Sequence, residues 1–290
     1  MALPPFSRVD HLVIAVRDLA AAERDYASLL GRAPSVRGTH PALGTANVIF
    51  RLANCYVELL APATAAPAHP VAIALAAFLD AQPEGLFALA LGSDALEGTA
   101  GALRRAGFEV GDPADLEVTA ADGSRRTARL LPIAREHTRG VNVFAIQHDV
   151  AAIPLATARG AEHASASAVD HVVLLSDDLA GALRLWRDAF AIPERWRREF
   201  SERGTVNVGL RLGGVTLELV APLGAGAGDR GERLWGLAYA VPDCEAAVAR
   251  LRGESVPVGD ARPGLAPATR VASVKRDGGV PTLLIQHTDR

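Results

Sequence analysis

The sequence predicts an α+β chain of two tandem domains, each assembled from two βαβββ modules. Three observations carry that expectation. Residues 9–62 and 169–222 align without insertion or deletion at a constant offset of 160, so one unit is written twice. A weaker second copy of the same element order follows inside each half. Short apolar runs bounded by turn residues recur along the chain, with one amphipathic helical stretch per module, which is the pattern of strands and crossover helices rather than of a helical bundle.

Each half opens with an apolar strand, Val9–Val16 or Val169–Leu175. An aspartate follows, Asp18 or Asp178, whose carboxylate suits the free N–H groups of a helix start; the helices are expected over Leu19–Leu30 and Leu179–Phe190. Paired strands come next, Ala46–Leu52 with Tyr56–Leu60 and Val206–Leu212 with Val215–Val220, joined by Ala53-Asn54 and Gly213-Gly214. The second module of the first half reads as strand Leu86–Leu91, helix Ala95–Ala106 and strands Phe108–Val110, Arg126–Pro132 and Val141–Gln147. Its counterpart reads as Leu234–Val241, helix Cys244–Arg252, Val256–Val258, Arg270–Val274 and Thr282–Gln286. The connector Ala63–Glu84 contains an extra helix, His69–Ala81, and is 12 residues longer than its partner, since the offset falls to 148 beyond it. The expected domains are 1–150, with modules 8–62 and 84–149, and 169–290, with modules 169–222 and 232–288. The Ala- and Ser-rich stretch 151–168 is the linker.

With 290 residues, 49% hydrophobic and 22% charged, the chain can bury two cores. A net charge of −3 with no Lys/Arg run argues against nucleic acid or an anionic membrane as partner. The N-terminal stretch MALPPFSRVD lacks a signal-peptide pattern, and no apolar run approaches the roughly 20 residues of a membrane span. The two cysteines, Cys55 and Cys244, are not equivalent in the repeat, which fits a reducing cytoplasm. The sequence is compatible with a homodimer and does not fix the oligomeric state.

The chemistry begins with a pair preserved in both halves: His11 with Glu58, and His171 with Glu218. A carboxylate inside YVELL or TLELV is costly to bury without a partner, and the imidazole is the obvious one. Strand alternation places His11 with Val9 and Val13, Glu58 with Tyr56 and Leu60, and Gln147 with Val143 and Ala145; Gln286 repeats the last position. The alternation sends His148 and His287 to the opposite face. His40 has no counterpart, since Phe200 stands there; Asn47 and Asn207 recur in GTAN and GTVN; and Arg135, His137 and Arg139 form a basic loop.

These motifs, namely the VDH first strand, the Asp-Leu helix start, the xELxAP fourth strand and the paired modules, resemble the vicinal oxygen chelate superfamily over nearly the whole chain. That group includes glyoxalase I, type I extradiol dioxygenases and bleomycin-resistance proteins. The HPALGTAN stretch, His40–Asn47, looks more like its bacterial glyoxalase-like subgroup. The resemblance implies two clefts holding a divalent metal on first- and fourth-strand ligands. Here these would be His11, Glu58 and Gln147, and His171, Glu218 and Gln286, with the fourth positions falling near Leu86 and Leu234, which cannot ligate. A His/Glu/Gln set suits Mn, Fe, Ni or Zn and is not a two-histidine, one-carboxylate triad.

Three functions are compatible with these residues. The first is a metal-dependent lyase or isomerase of glyoxalase type on a small oxygenated substrate, with Glu58 or Glu218 as ligand and base, His40 as acid/base group, and Asn47, Asn207 and Arg135 on the substrate. The second is an extradiol-type dioxygenase. The third is a metal-free small-molecule binding protein whose cleft is lined by Tyr56, Phe87 and Trp235.

Overall fold

The computed structural model describes residues 5–148, 153–224 and 231–289. The first domain runs β1 (Arg8–Val16), α1 (Leu19–Leu30), β2 (Val36–His40), β3 (Thr45–Arg51), β4 (Tyr56–Pro62), α2 (Pro70–Ala81), β5 (Glu84–Gly92), α3 (Leu96–Arg105), β6 (Ala114–Ala120), β7 (Arg125–Ile133) and β8 (Asn142–His148). The strands close into a barrel in the order β1-β4-β3-β2-β6-β7-β8-β5. β1 lies parallel to β4 and antiparallel to β5, so the two modules meet edge to edge.

Local chemistry sets these elements. The Asp18 carboxylate accepts from the Ala21 amide and starts α1, and Gly31 ends it at φ 63°, the left-handed cap that glycine adopts without a Cβ penalty. On β3 and β4 the outward residues Val48, Phe50, Val57 and Leu59 bury against α1. The inward residues face the barrel lumen. Helix α2 packs across one end of that lumen: Leu75 and Leu79 meet Val13, Ala15, Leu60 and Ala88. Each of the two leucines is almost fully buried, worth roughly 1.5–3 kcal/mol of hydrophobic stabilisation.

The second domain repeats the plan with β9 (Ala168–Ser176), α4 (Leu179–Leu183), β10 (Glu194–Phe200), β11 (Thr205–Leu212), β12 (Val215–Pro222), β13 (Glu232–Ala240), α5 (Cys244–Gly253), β14 (Arg262–Pro263), β15 (Thr269–Val274) and β16 (Thr282–His287). Its sheet, β10-β11-β12-β9-β13-β16-β15-β14, stays open. In the first domain β6 hydrogen-bonds to β2 and closes the ring, whereas β14 spans two residues and leaves β10 unpaired on that side. Gly38 permits the closure. A Cβ there would stand 3.1 Å from the Thr119 carbonyl oxygen, and the repeat places Arg198 at that position.

Four expectations need correction. Strands β2 and β10 were not expected as separate elements: VRGTH and ERWRREF lack the apolar alternation that marks a strand. The region Phe108–Val110 is not a strand; the pairing partner of β7 is Ala114–Ala120. Val256–Val258 contributes only an isolated bridge from Val258 to Val274. The helix over Leu179–Phe190 is α-helical only to Leu183 and continues as a π-helix over Arg184–Ala189.

The domains share one apolar core, in which Phe6 meets Phe190 edge-on. Two glutamates, Glu84 half-buried and Glu232 buried, clasp it reciprocally. Glu84, which opens β5, accepts from Tyr26 Oη at 2.8 Å and from Arg276 of the second domain at 2.9 Å. Glu232, which opens β13, accepts from Arg139 of the first domain at 2.5 Å and from Trp186 Nε1 at 2.6 Å. Residues 151–152 of the expected linker lie outside the described residues. Beyond them the connector is packed rather than loose: Arg32 donates to the Ala156 and Ala166 carbonyls, and Ile153, Ala156 and Ala166 are buried.

Candidate functional site

The lumen of the first barrel holds a cavity of about 480 Å³. Its apolar wall includes Ile49, Leu60, Leu116, Leu130, Phe144 and Ile146, and several of its polar groups form one continuous string. The string depends on an irregularity in β1. The register against β5 skips between Val9 and His11, leaving Asp10 as an extra, unopposed residue. Such a bulge re-aims side chains, and both Asp10 and His11 line the lumen.

Asp10 Oδ1 stands 2.8 Å from His11 Nδ1 and 3.0 Å from His148 Nε2. A carboxylate only accepts, so both ring nitrogens donate to it. That leaves His11 Nε2 facing Glu58 Oε2 at 3.4 Å. Glu58 Oε1 accepts from Asn47 Nδ2 at 2.6 Å and lies 3.9 Å from His40 Nε2. His40 Nδ1 closes the string on Thr45 Oγ1 at 2.9 Å.

Burial would lower the pKa of His11, but the bond to Asp10 and the charge of Glu58 outweigh it and raise it. Burial alone would likewise raise Asp10, yet its bonds to the two imidazoles hold it far below the usual carboxylate range. His40 shifts the other way: burial lowers it, against the pull of Glu58. In the lumen, then, the Asp10 and Glu58 contacts favour the charged form of His11, while burial favours the neutral form of His40.

Of the residues singled out in the sequence, His11, His40, Asn47, Tyr56 and Glu58 converge on this lumen. Gln147 does not. Its Oε1 accepts from the Leu96 amide at 3.2 Å and starts α3, which lacks a side-chain cap of its own. Gln286 likewise accepts from the Cys244 amide at 3.0 Å, where α5 also has its own cap in Asp243. Their neighbours His148 and His287 face the Asp–His pairs instead. Phe87 packs edge-on against Phe78 of α2. Arg135 turns back onto the Gly140 carbonyl, and Arg139 belongs to the interdomain clasp. The only sign of Asp10 and Asp170 in the sequence is the identical VDH in both halves.

The second domain keeps the string in part. Asp170 bonds His171 at 2.8 Å and His287 at 2.6 Å, and these bonds bring its pKa down to about 2 despite its burial. His171 Nε2 lies 3.4 Å from Glu218, which accepts from Asn207 at 2.7 Å. Here Thr205 donates to Asn207 Oδ1 at 3.1 Å. In the first domain His40 takes the equivalent Thr45 hydroxyl, and Asn47 Oδ1 is left buried without a partner. Trp235, equivalent to Phe87, has no overlying helix and is 48% exposed.

The implied metal centre can be tested against these positions. The register relating β1/β4 to β5/β8 carries His11 onto Ala88 and Glu58 onto Phe144, so the second module supplies no donor. With Gln147 turned outward, a four-ligand centre does not fit, and among the described residues no group of three or more His, Cys, Asp or Glu is arranged to hold an ion.

Paired modules around a cleft with ligand-type residues on the first and fourth strands define the vicinal oxygen chelate fold. The chain belongs to that class: residues 9–167 match the glyoxalase-like domain family, and residues 170–272 match the glyoxalase/bleomycin resistance protein/dioxygenase superfamily. Among solved structures it is similar to a mutant of 4-hydroxymandelate synthase from Streptomyces coelicolor, at 16% identity and TM-score 0.69, covering 98% of this chain and 93% of that one. It is also similar to a protein from Staphylococcus aureus (12% identity, TM-score 0.62, covering 96% of this chain and 98% of that one). A xylose isomerase-like TIM barrel/4-hydroxyphenylpyruvate dioxygenase fusion protein matches at 16% identity and TM-score 0.59, over 99% of this chain and 50% of that one. At these identities the likeness is one of fold. Comparison with curated proteins finds no match. Among the described residues no helix is long and apolar enough to cross a membrane.

Proposed function

We propose that the first-domain lumen is the active site of a lyase- or isomerase-type enzyme that moves a carbon-bound proton next to a carbonyl of a small molecule. The observation that carries this is Glu58, a buried carboxylate in a mostly apolar cavity, held from one side by Asn47 at 2.6 Å and from the other by His11 at 3.4 Å. Glu58 is the base: it takes the proton from carbon and returns it to the same or the adjacent carbon. His11, whose charged form the Asp10 bond favours, offers Nε2–H to the carbonyl oxygen as the enolate forms. His40, whose neutral form burial favours, lies beside Glu58 and relays the proton. No step is assigned to a metal, because the donor set described above does not complete one.

Incubating the protein with a panel of aldehydes, ketones and 2-oxo acids in deuterium oxide, followed by proton NMR, tests the reading. Enzyme-dependent loss of one C–H signal is expected, abolished in Glu58→Gln and insensitive to chelator. Equal rates in wild type and Glu58→Gln across the panel would sink it. The apolar lumen would then favour a second reading, that of a protein that binds a hydrophobic small molecule without converting it.

A further inference from the structure

Strand β7 carries three arginines near its start and middle, and they divide by face. Arg125 and Arg129 point outward and are paired, Arg125 with Glu117 at 3.3 Å and Arg129 with Glu97 at 2.6 Å. Arg126 points inward with Ala128 and Leu130 and lines the lumen. Among the described residues it makes no hydrogen bond or ion pair; its charge acts on Asp122 in the β6–β7 turn. Its cross-strand neighbour is Val118, so a half-buried guanidinium sits on an apolar wall, within reach of the Asp122 charge but in no ion pair among the described residues. The other cations of the lumen are engaged: Arg8 with Asp10 and Asp94, and Arg51 with the Ile153 carbonyl while lying over Tyr56.

The position is informative. In the closed ring, β7 stands diametrically opposite β4, the strand of Glu58. A molecule gripped at Arg126 would cross the lumen past Leu130 and Phe144 to reach Glu58 and His11. The second domain lacks the grip. Arg129 pairs in register with Gln147, as Arg270 does with Gln286, and three residues before Arg270 stands Pro267.

We infer that Arg126 is the anion-binding residue of the first-domain site and that the substrate is a monocarboxylate whose apolar body separates the carboxylate from the reacting carbon. One unpaired planar fork suits one carboxylate, bound by two parallel N–H···O bonds. A dianion would bring a second charge that no free cation among the described residues meets, in a lumen that already holds Asp10 and Glu58. This assignment rests on the first-domain lumen being the working site, and it adds the class of molecule that enters it.

Phenylacetate and its neutral isostere phenylacetamide separate the possibilities when titrated calorimetrically into the full-length protein. Phenylacetate is expected to bind at least about 10-fold more tightly, with affinity falling as salt rises. Arg126→Met should remove about 10- to 100-fold of its affinity and leave phenylacetamide unchanged, whereas Arg126→Lys should retain part. Arg125→Met, on the outer face of the same strand, should retain the full preference and controls for folding. Equal binding of the two probes, no binding of phenylacetate, or a preference that survives Arg126→Met overturns the assignment. Glu58→Gln should keep the preference. A protein that fails deuterium exchange yet prefers the carboxylate through Arg126 would therefore lose the proton-transfer reading and keep this one.

Discussion

The same Asp–His–Glu–Asn string sits in both domains, yet one copy lies inside a closed barrel and the other on an open sheet. His11 and Glu58 each keep 10% of their side-chain surface, whereas His171 and Glu218 keep 18% and 16%. Few residues account for the contrast. Gly38 lets β6 approach β2 where Arg198 stands in the repeat, and the 12 extra residues that include α2 cap one end of the lumen. His40 replaces Phe200 beside the carboxylate, and Arg126 stands where the second domain has Pro267. Duplication supplied two equal sets of polar groups. Enclosure, which excludes water and strengthens each charge interaction, belongs to one of them.

The sharpest way to break this comparison is to remove one carboxylate at a time. Glu58→Gln should cost about 100- to 10,000-fold in deuterium exchange, and Glu218→Gln less than about twofold. Equal losses would mean that enclosure does not select the working domain.

The clasp between the domains gives the next largest effect. Arg139→Met leaves the Glu232 carboxylate, whose side chain is fully buried, with only neutral partners. A loss of about 3–5 kcal/mol in urea-induced unfolding is expected. Pairing Arg139→Met with Glu232→Gln should recover part of it, since the uncompensated charge is then gone.

Asp10→Asn sharpens the electrostatic half of the comparison. The raised pKa of His11 means its stabilising contribution is complete below about pH 6.5, the unfolded value, and is lost as pH rises through the folded one. Asp10 is depressed, so its contribution is present above about pH 3.9 and is lost as pH falls through its folded-state pKa. The rate should therefore fall on the alkaline side as His11 discharges, and Asp10→Asn should move that limb to lower pH. An unmoved limb would detach His11 from the reaction.

The smallest change copies the second domain into the first. His40→Phe frees the Thr45 hydroxyl to reach Asn47 Oδ1, as Thr205 reaches Asn207. Stability should change by less than about 1 kcal/mol, the net worth of one hydrogen bond, while exchange falls about tenfold or more. An unchanged rate would take His40 out of the proton path.

Much of this was legible in the chain. The gapless repeat required two like domains, the Asp18 and Asp178 starts placed helices, and a carboxylate in an apolar strand pointed to Glu58 and Glu218. The inward face of β8 was not legible. Val143, Ala145 and Gln147 alternate with Phe144, Ile146 and His148, and both sets are apolar with one polar end, so period two cannot say which faces the lumen. The family resemblance makes Gln147 a ligand, and it is a helix cap; alternation sends His148 to the opposite face, and it bonds Asp10.

By itself, then, the sequence determined the modules, their number and the histidine–glutamate pairs, because those follow from local periodicity and repetition. Only the tertiary structure decided that Asp10 bulges into the lumen, that β2 and β6 close the first ring alone, and that Arg126 lines that lumen from the strand opposite the one that carries Glu58. Those outcomes depend on pairing between strands about 80 residues apart, where backbone register and close approach, rather than any local preference, set which side chains meet.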